Sequence, residues 1–111
     1  MLYFRQYLKQ ICPSWQLSED KKSISRTFVA KNFMAAMDFL NKLASLAEES
    51  AHHPDFSVSG YRNVTIKLST YSIGGLHEND FILAAKSDEI QVDYSPKFLK
   101  ENPQIIAGRS A

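Results

Sequence analysis

Apolar residues fall at helical spacing at the start of the chain, at Tyr3, Phe4, Tyr7, Leu8 and Ile11, and Pro13 discourages continuation. A short amphipathic helix is predicted there. Trp15 and Leu17 alternate briefly before the polar, turn-like Ser18–Lys22. From Ile24 to Ala30 the apolar positions Ile24, Phe28 and Ala30 share one parity, the signature of a strand with one buried face. Arg26 shares that parity. Either its stem packs at a sheet edge or its guanidinium meets a carboxylate, and edge packing is the simpler expectation. Asn32 then reads as an N-cap. The following helix carries a core stripe at Phe33, Ala36, Met37, Leu40, Leu43, Ala44 and Ala47, and Asp38 and Lys42 sit four apart on its solvated face. Pro54 disfavours helical geometry at His53, so this helix ends before it.

Beyond Pro54 the period becomes two. Phe56 and Val58 open a strand, Ser59-Gly60 with Arg62-Asn63 supply turn chemistry, and Val64, Ile66 and Leu68 alternate with Thr65, Lys67 and Ser69. This pattern predicts a hairpin. Gly74-Gly75 breaks the chain, and a last helix is expected from about His77 through Ile90, with Leu76, Asp80, Leu83 and Ala84 along one side. From Gln91 onward the tail, with Pro96 and Pro103, is expected to be extended or partly disordered. Tight hairpins among alternating strands and helices predict an α+β fold. The expected form is a two-layer sandwich, with a four-stranded antiparallel sheet and helices packed on one face.

The 111 residues suffice for one core, and an apolar fraction of 44% with 23% charged residues is ordinary for a globular domain. A net charge of +1 without a basic run argues against direct nucleic-acid binding. No apolar stretch is long enough to span a bilayer, and Arg5 and Lys9 interrupt the first helix in a way unlike a signal peptide, so the expected location is the cytoplasm. Cys12 is the sole cysteine, which excludes an internal disulfide and a four-cysteine zinc site.

His52-His53-Pro54 carries the most chemistry. Two imidazoles at a helix end, each titrating near about pH 6.5, can give or take protons at neutral pH. Taken alone, the tripeptide also suits two solvated histidines beside a helix C-terminus. Its surroundings change that weighing. Glu48 stands four residues before the pair, Tyr61 precedes Val64–Thr70, and Gly74-Gly75-Leu76 leads to Asp80. Upstream, Trp15-Gln16-Leu17, Ile24–Phe28, Phe33 and Ala36 complete the order. Over residues 12–90 this arrangement resembles the pterin-4a-carbinolamine dehydratase family. On that resemblance, residues 1–90 form the dehydratase-like domain and 91–111 a C-terminal extension.

The resemblance implies removal of water from 4a-hydroxytetrahydropterin to give quinonoid dihydropterin, without a metal or organic cofactor. It implies that His52, His53 and the position of Tyr71 are catalytic, and that Glu48, Ala51, Ser69, Thr70, Ser72 and Asp80 bind or frame the substrate. It also implies a homodimer or homotetramer. The chain departs from the family pattern at Tyr71, where a third histidine is expected. A phenol titrating near about pH 10 donates a proton at neutral pH but does not readily accept one. Two smaller departures are an extra residue before Tyr61, absorbed at the turn around Gly60, and His77 where Ser or Thr usually opens the last helix. His77 is expected to be a plain helix-start residue rather than a replacement imidazole.

Other readings are weaker or rest on the same resemblance. A metal site from His52, His53, His77 and Asp80 is disfavoured, because adjacent histidines diverge and no HExxH or cysteine pair is present. The main rival is an interaction protein, since relatives act as dimerization cofactors for a homeodomain transcription factor or as assembly factors in plastids. The substitution at Tyr71 favours that rival.

Overall fold

Strict alternation gives the sheet its two faces. In β2 (Ile24–Val29) and β4 (Asn63–Leu68) the pairs Ile24↔Leu68, Arg26↔Ile66 and Phe28↔Val64 stand directly opposite and point inward. All six of these residues are buried, whereas Thr27 and Thr65 pair their hydroxyls on the outer face. β3 (Asp55–Ser59) lies antiparallel to β4, and the two-residue β1 (Gln16–Leu17) pairs with the start of β2. The order across the sheet is β1-β2-β4-β3, fully antiparallel. The computed structural model describes residues 7–107.

Helix α1 (Phe33–Ser50) begins where the Asn32 side chain accepts the Ala35 N–H at 2.8 Å. Its buried face is Ala36, Phe39, Leu40, Leu43 and Ala47. The predicted stripe was therefore partly displaced: Phe33 and Ala44 are exposed, and Phe39 takes the central position, edge-on to Phe28 at 4.9 Å. Helix α2 (Glu78–Asp88) packs beside α1, burying Phe81, Leu83 and Ala84, so one core lies between the helices and one sheet face. No helix among the described residues is long and apolar enough to cross a membrane.

Three residues join β3 to β4. Gly60 and Tyr61 both adopt left-handed conformations, with φ of 53° and 57°, and a Cβ on Gly60 would sit 2.8 Å from Asn63 Nδ2. Glycine is required there on both counts. At the N-terminal end Tyr7 and Leu8 are helical and the chain then turns, whereas Tyr3 and Phe4 of the predicted helix lie outside the described residues.

Two expectations are corrected. Arg26 does not sit at a sheet edge, because β2 is an interior strand. It is 2% exposed: Nη2 donates to the Tyr94 hydroxyl at 2.7 Å, Nη1 lies 3.4 Å from Asp88 Oδ1, and the rings of Phe28 and Phe39 flank it. The tail is also more ordered than predicted. Residues 93–95 extend the sheet beside the end of β2, where Lys31 donates to the Asp93 carbonyl and Ser95 to that of Val29. Helices α3 (Pro96–Glu101) and α4 (Gln104–Ala107) follow, and Ile105 is buried. The tail docks because β1 covers only the first residues of β2, and because a buried guanidinium needs acceptors that the first 90 residues do not fully supply.

The substitution Tyr94→Phe keeps the ring but removes the acceptor for Arg26 Nη2. It is expected to lower stability by about 1–3 kcal/mol in urea denaturation; a variant as stable as the parent would show that the guanidinium finds another partner at no cost.

Candidate active site

The corner between α1 and β3 begins at Ala51. This residue is left-handed (φ 52°), and the N–H of His52 reaches back to the Ala47 carbonyl at 3.2 Å, closing the helix end. The chain therefore reverses at the two histidines, and their rings diverge. His52 turns inward: its Nε2 lies 2.5 Å from Asp80 Oδ1, and the side chain is only 16% exposed. His53 turns outward, with Nε2 2.6 Å from Glu48 Oε2 at an exposed position. A carboxylate only accepts hydrogen bonds, so in each neutral imidazole Nε2 carries the proton and Nδ1 is the acceptor.

Asp80 is completely buried. Besides His52 it accepts from Thr70 Oγ1 at 2.8 Å and from the His77 N–H at 3.0 Å, both through Oδ2. It stands in the first turn of α2, where the helix dipole favours a carboxylate. His77 is the N-cap of that helix, and its Nδ1 accepts the Asn79 N–H at 3.2 Å. This is the helix-start role expected of it. Thr70 is held by paired backbone hydrogen bonds with Gly75, which close the loop over a short 3-10 turn at Tyr71–Ile73. Gly74 ends that turn in the left-handed region, at φ 62°.

Tyr71 is exposed, and its hydroxyl donates to Asp55 Oδ2. The Asp55 carboxylate holds the phenol proton and pushes the Tyr71 pKa above the ordinary tyrosine value. Among the described residues no hydrogen bond joins Tyr71 to either imidazole. The structure thus gathers His52, Thr70 and the His77 backbone around the buried Asp80 carboxylate, with His53–Glu48 and Tyr71–Asp55 as separate exposed pairs. Ser69 lies half-buried beside Tyr71, whereas Ser72 and Ala51 are exposed. Sequence reasoning passed over Asp55. Its place one residue after the HHP run was the available signal.

Comparison with known proteins covers most of the chain. The family described as pterin 4 alpha carbinolamine dehydratase matches residues 3–90. The pterin-4-alpha-carbinolamine dehydratase 2, mitochondrial, of Arabidopsis thaliana is 43% identical over 90 residues, which are 79% of this chain and 48% of that protein. The chain thus spans about half the length of that relative. The crystal structure of a transcriptional coactivator/pterin dehydratase from Brucella melitensis superposes with a TM-score of 0.70 at 30% identity, covering 77% of this chain and 88% of that one. A pterin dehydratase-like protein identified as a RuBisCO assembly factor in the alpha-carboxysome superposes with a TM-score of 0.56 at 25% identity, covering 67% and 84%. With its fold, its HHP corner and this match in register, the chain belongs to the pterin-4a-carbinolamine dehydratase family.

Proposed function

We propose that the protein dehydrates a 4a-hydroxytetrahydropterin to the quinonoid dihydropterin, with His52 and His53 dividing the proton transfers. The observation that carries this reading is the inward-turned His52, held by the buried Asp80. With Nε2 committed to that carboxylate, His52 offers Nδ1 as a base for the N5 proton, and Asp80 stabilises the imidazolium that results. His53, as the imidazolium beside Glu48, donates its Nδ1 proton to the departing 4a-hydroxyl and is reloaded from solvent. One proton leaves N5, one reaches the hydroxyl, and water departs, so the two histidines return to their starting states through bulk exchange. Thr70, Ser69, Ser72, Glu48 and Ala51 frame the substrate in this reading. Tyr71, tied to Asp55, serves as a hydrogen-bonding wall and leaves the third acid–base position empty.

A second reading is a protein-interaction or assembly role with little turnover. The commitment of the Tyr71 hydroxyl to Asp55 supports it, as does the likeness to a pterin dehydratase-like assembly factor. Pterin binding separates the two, since this role requires none.

In a stopped-flow dehydration assay, His52→Ala and His53→Ala are each expected to lower the rate by about 10²–10⁴. Rates equal to that of the parent would remove the histidines from the mechanism. Tyr71→His restores an imidazole and is expected to raise turnover by about tenfold or more; an unchanged rate would mean that the third position plays no part. Absorbance titration of Tyr71 should give a pKa above about 10 that falls back when Asp55→Asn removes the acceptor. The sign follows from the raised value. The Tyr71–Asp55 contact is present below the unfolded tyrosine pKa and is lost as pH rises through the folded one.

A further inference from the structure

A hollow of about 290 Å³ is lined in part by Thr70, whose hydroxyl donates to Asp80. Lys22, from the turn between β1 and β2, and Lys67, from β4, line it together with Ser23, Ser69, Thr70 and Tyr71. Its size is just below the roughly 300 Å³ at which small-molecule sites begin, which suits part of a ligand rather than the whole. Neither lysine forms an ion pair among the described residues. The cross-strand partner of Lys67 is Asp55, whose Oδ2 accepts the Tyr71 hydroxyl.

Asp20 also lines the hollow. Its carboxylate is already engaged, accepting from the Ser18 hydroxyl at 2.6 Å and the Lys22 amide at 3.0 Å. Those bonds, with the nearby charges of Lys22 and Lys67, hold its carboxyl below its ordinary value. Two ammonium groups against one occupied carboxylate leave positive charge in excess, and the hydroxyls of Ser23 and Ser69 add neutral donors. Such a lining selects an anion.

We propose that this hollow receives an anionic group, a phosphate ester or a carboxylate, carried on the side chain of the pterin, and that Lys22 and Lys67 make the protein selective for such pterins. The proposal rests on the reading that the pterin ring lies against His52 and His53, with Thr70 as the wall common to both compartments.

The test is equilibrium binding, followed by pterin fluorescence, of three 7,8-dihydropterins that carry a neutral polyol, a phosphate ester or a glutamyl carboxylate at position 6. At low ionic strength the anionic ligands are expected to bind about tenfold more tightly than the neutral one, with the preference shrinking as salt is added. Preference for only one of the two anions identifies the group. The double variant Lys22→Gln/Lys67→Gln, with its fold checked by circular dichroism, should bring the dissociation constants together, and Asp20→Asn should widen the gap. Equal affinities in the parent, a preference that survives the double variant, or no binding of any pterin each overturn the proposal. A stopped-flow dehydration assay on the same protein keeps the two readings apart. Absent turnover with the anion preference intact strikes the enzymatic role alone, and turnover without preference strikes only the anion subsite.

Discussion

A buried carboxylate must be met by donors on every side, and Asp80 is where that requirement organises this molecule. It takes its three hydrogen bonds from three segments: the corner after α1 through His52, the loop after β4 through Thr70, and the start of its own helix through the His77 amide. Leaving any one donor away from a fully desolvated carboxylate costs more than an exposed bond would return. The three segments are therefore held in a fixed relation, and with them the orientation of the one imidazole that faces inward. The same bonds commit Nε2 of His52 as a donor and leave Nδ1 as the acceptor of the neutral ring.

A second buried charge plays the corresponding part on the inner face of the sheet. Arg26 lies between Phe28 and Phe39, with polar partners on two different elements: Asp88 at the end of α2 and Tyr94 in the tail. Asp88 in turn accepts from the Trp15 indole and the Cys12 amide. This network links the segment before β1, the central strand, the last turn of α2 and the C-terminal extension. Arg26 Nε remains without a partner, so the site tolerates one incomplete bond in exchange for those links. The family likeness ends at residue 90, yet Tyr94 and Ile105 belong to the core. The extension is structural, not an appendage.

The outer rim of the site carries the exposed pairs His53–Glu48 and Tyr71–Asp55. Tyr71 bonds Asp55 and turns from the inner cluster, and Lys67 opposite Asp55 is left unpaired. Tyr71 thus belongs both to the exposed pair with Asp55 and to the lining of the neighbouring hollow.

Much was legible from the chain alone, for local reasons. Period-two and three-and-four spacing predicted β2, β4, α1 and α2, because each element must turn one face from water whatever its neighbours are. Asn32, the Gly60 turn and Pro54 marked boundaries through backbone sterics and capping, which act over a few residues. The Ser95-Pro96 pair was an equally local helix start, an N-cap followed by proline at the first position, but the tail's polarity and prolines obscured it. The family resemblance singled out His52, His53, Thr70 and Asp80; hydrogen bonds join His52 and Thr70 to Asp80, and His53 lies on Glu48 instead. Only the tertiary structure decided the rest: that Arg26 is buried and paired, that Phe39 rather than Phe33 faces the sheet, that the two imidazoles diverge to separate carboxylates, and that Tyr71 meets Asp55. Each of these is a contact between residues far apart in the chain or a choice of side-chain direction. Such choices depend on which partners the folded chain brings within hydrogen-bonding reach, and no periodicity encodes them.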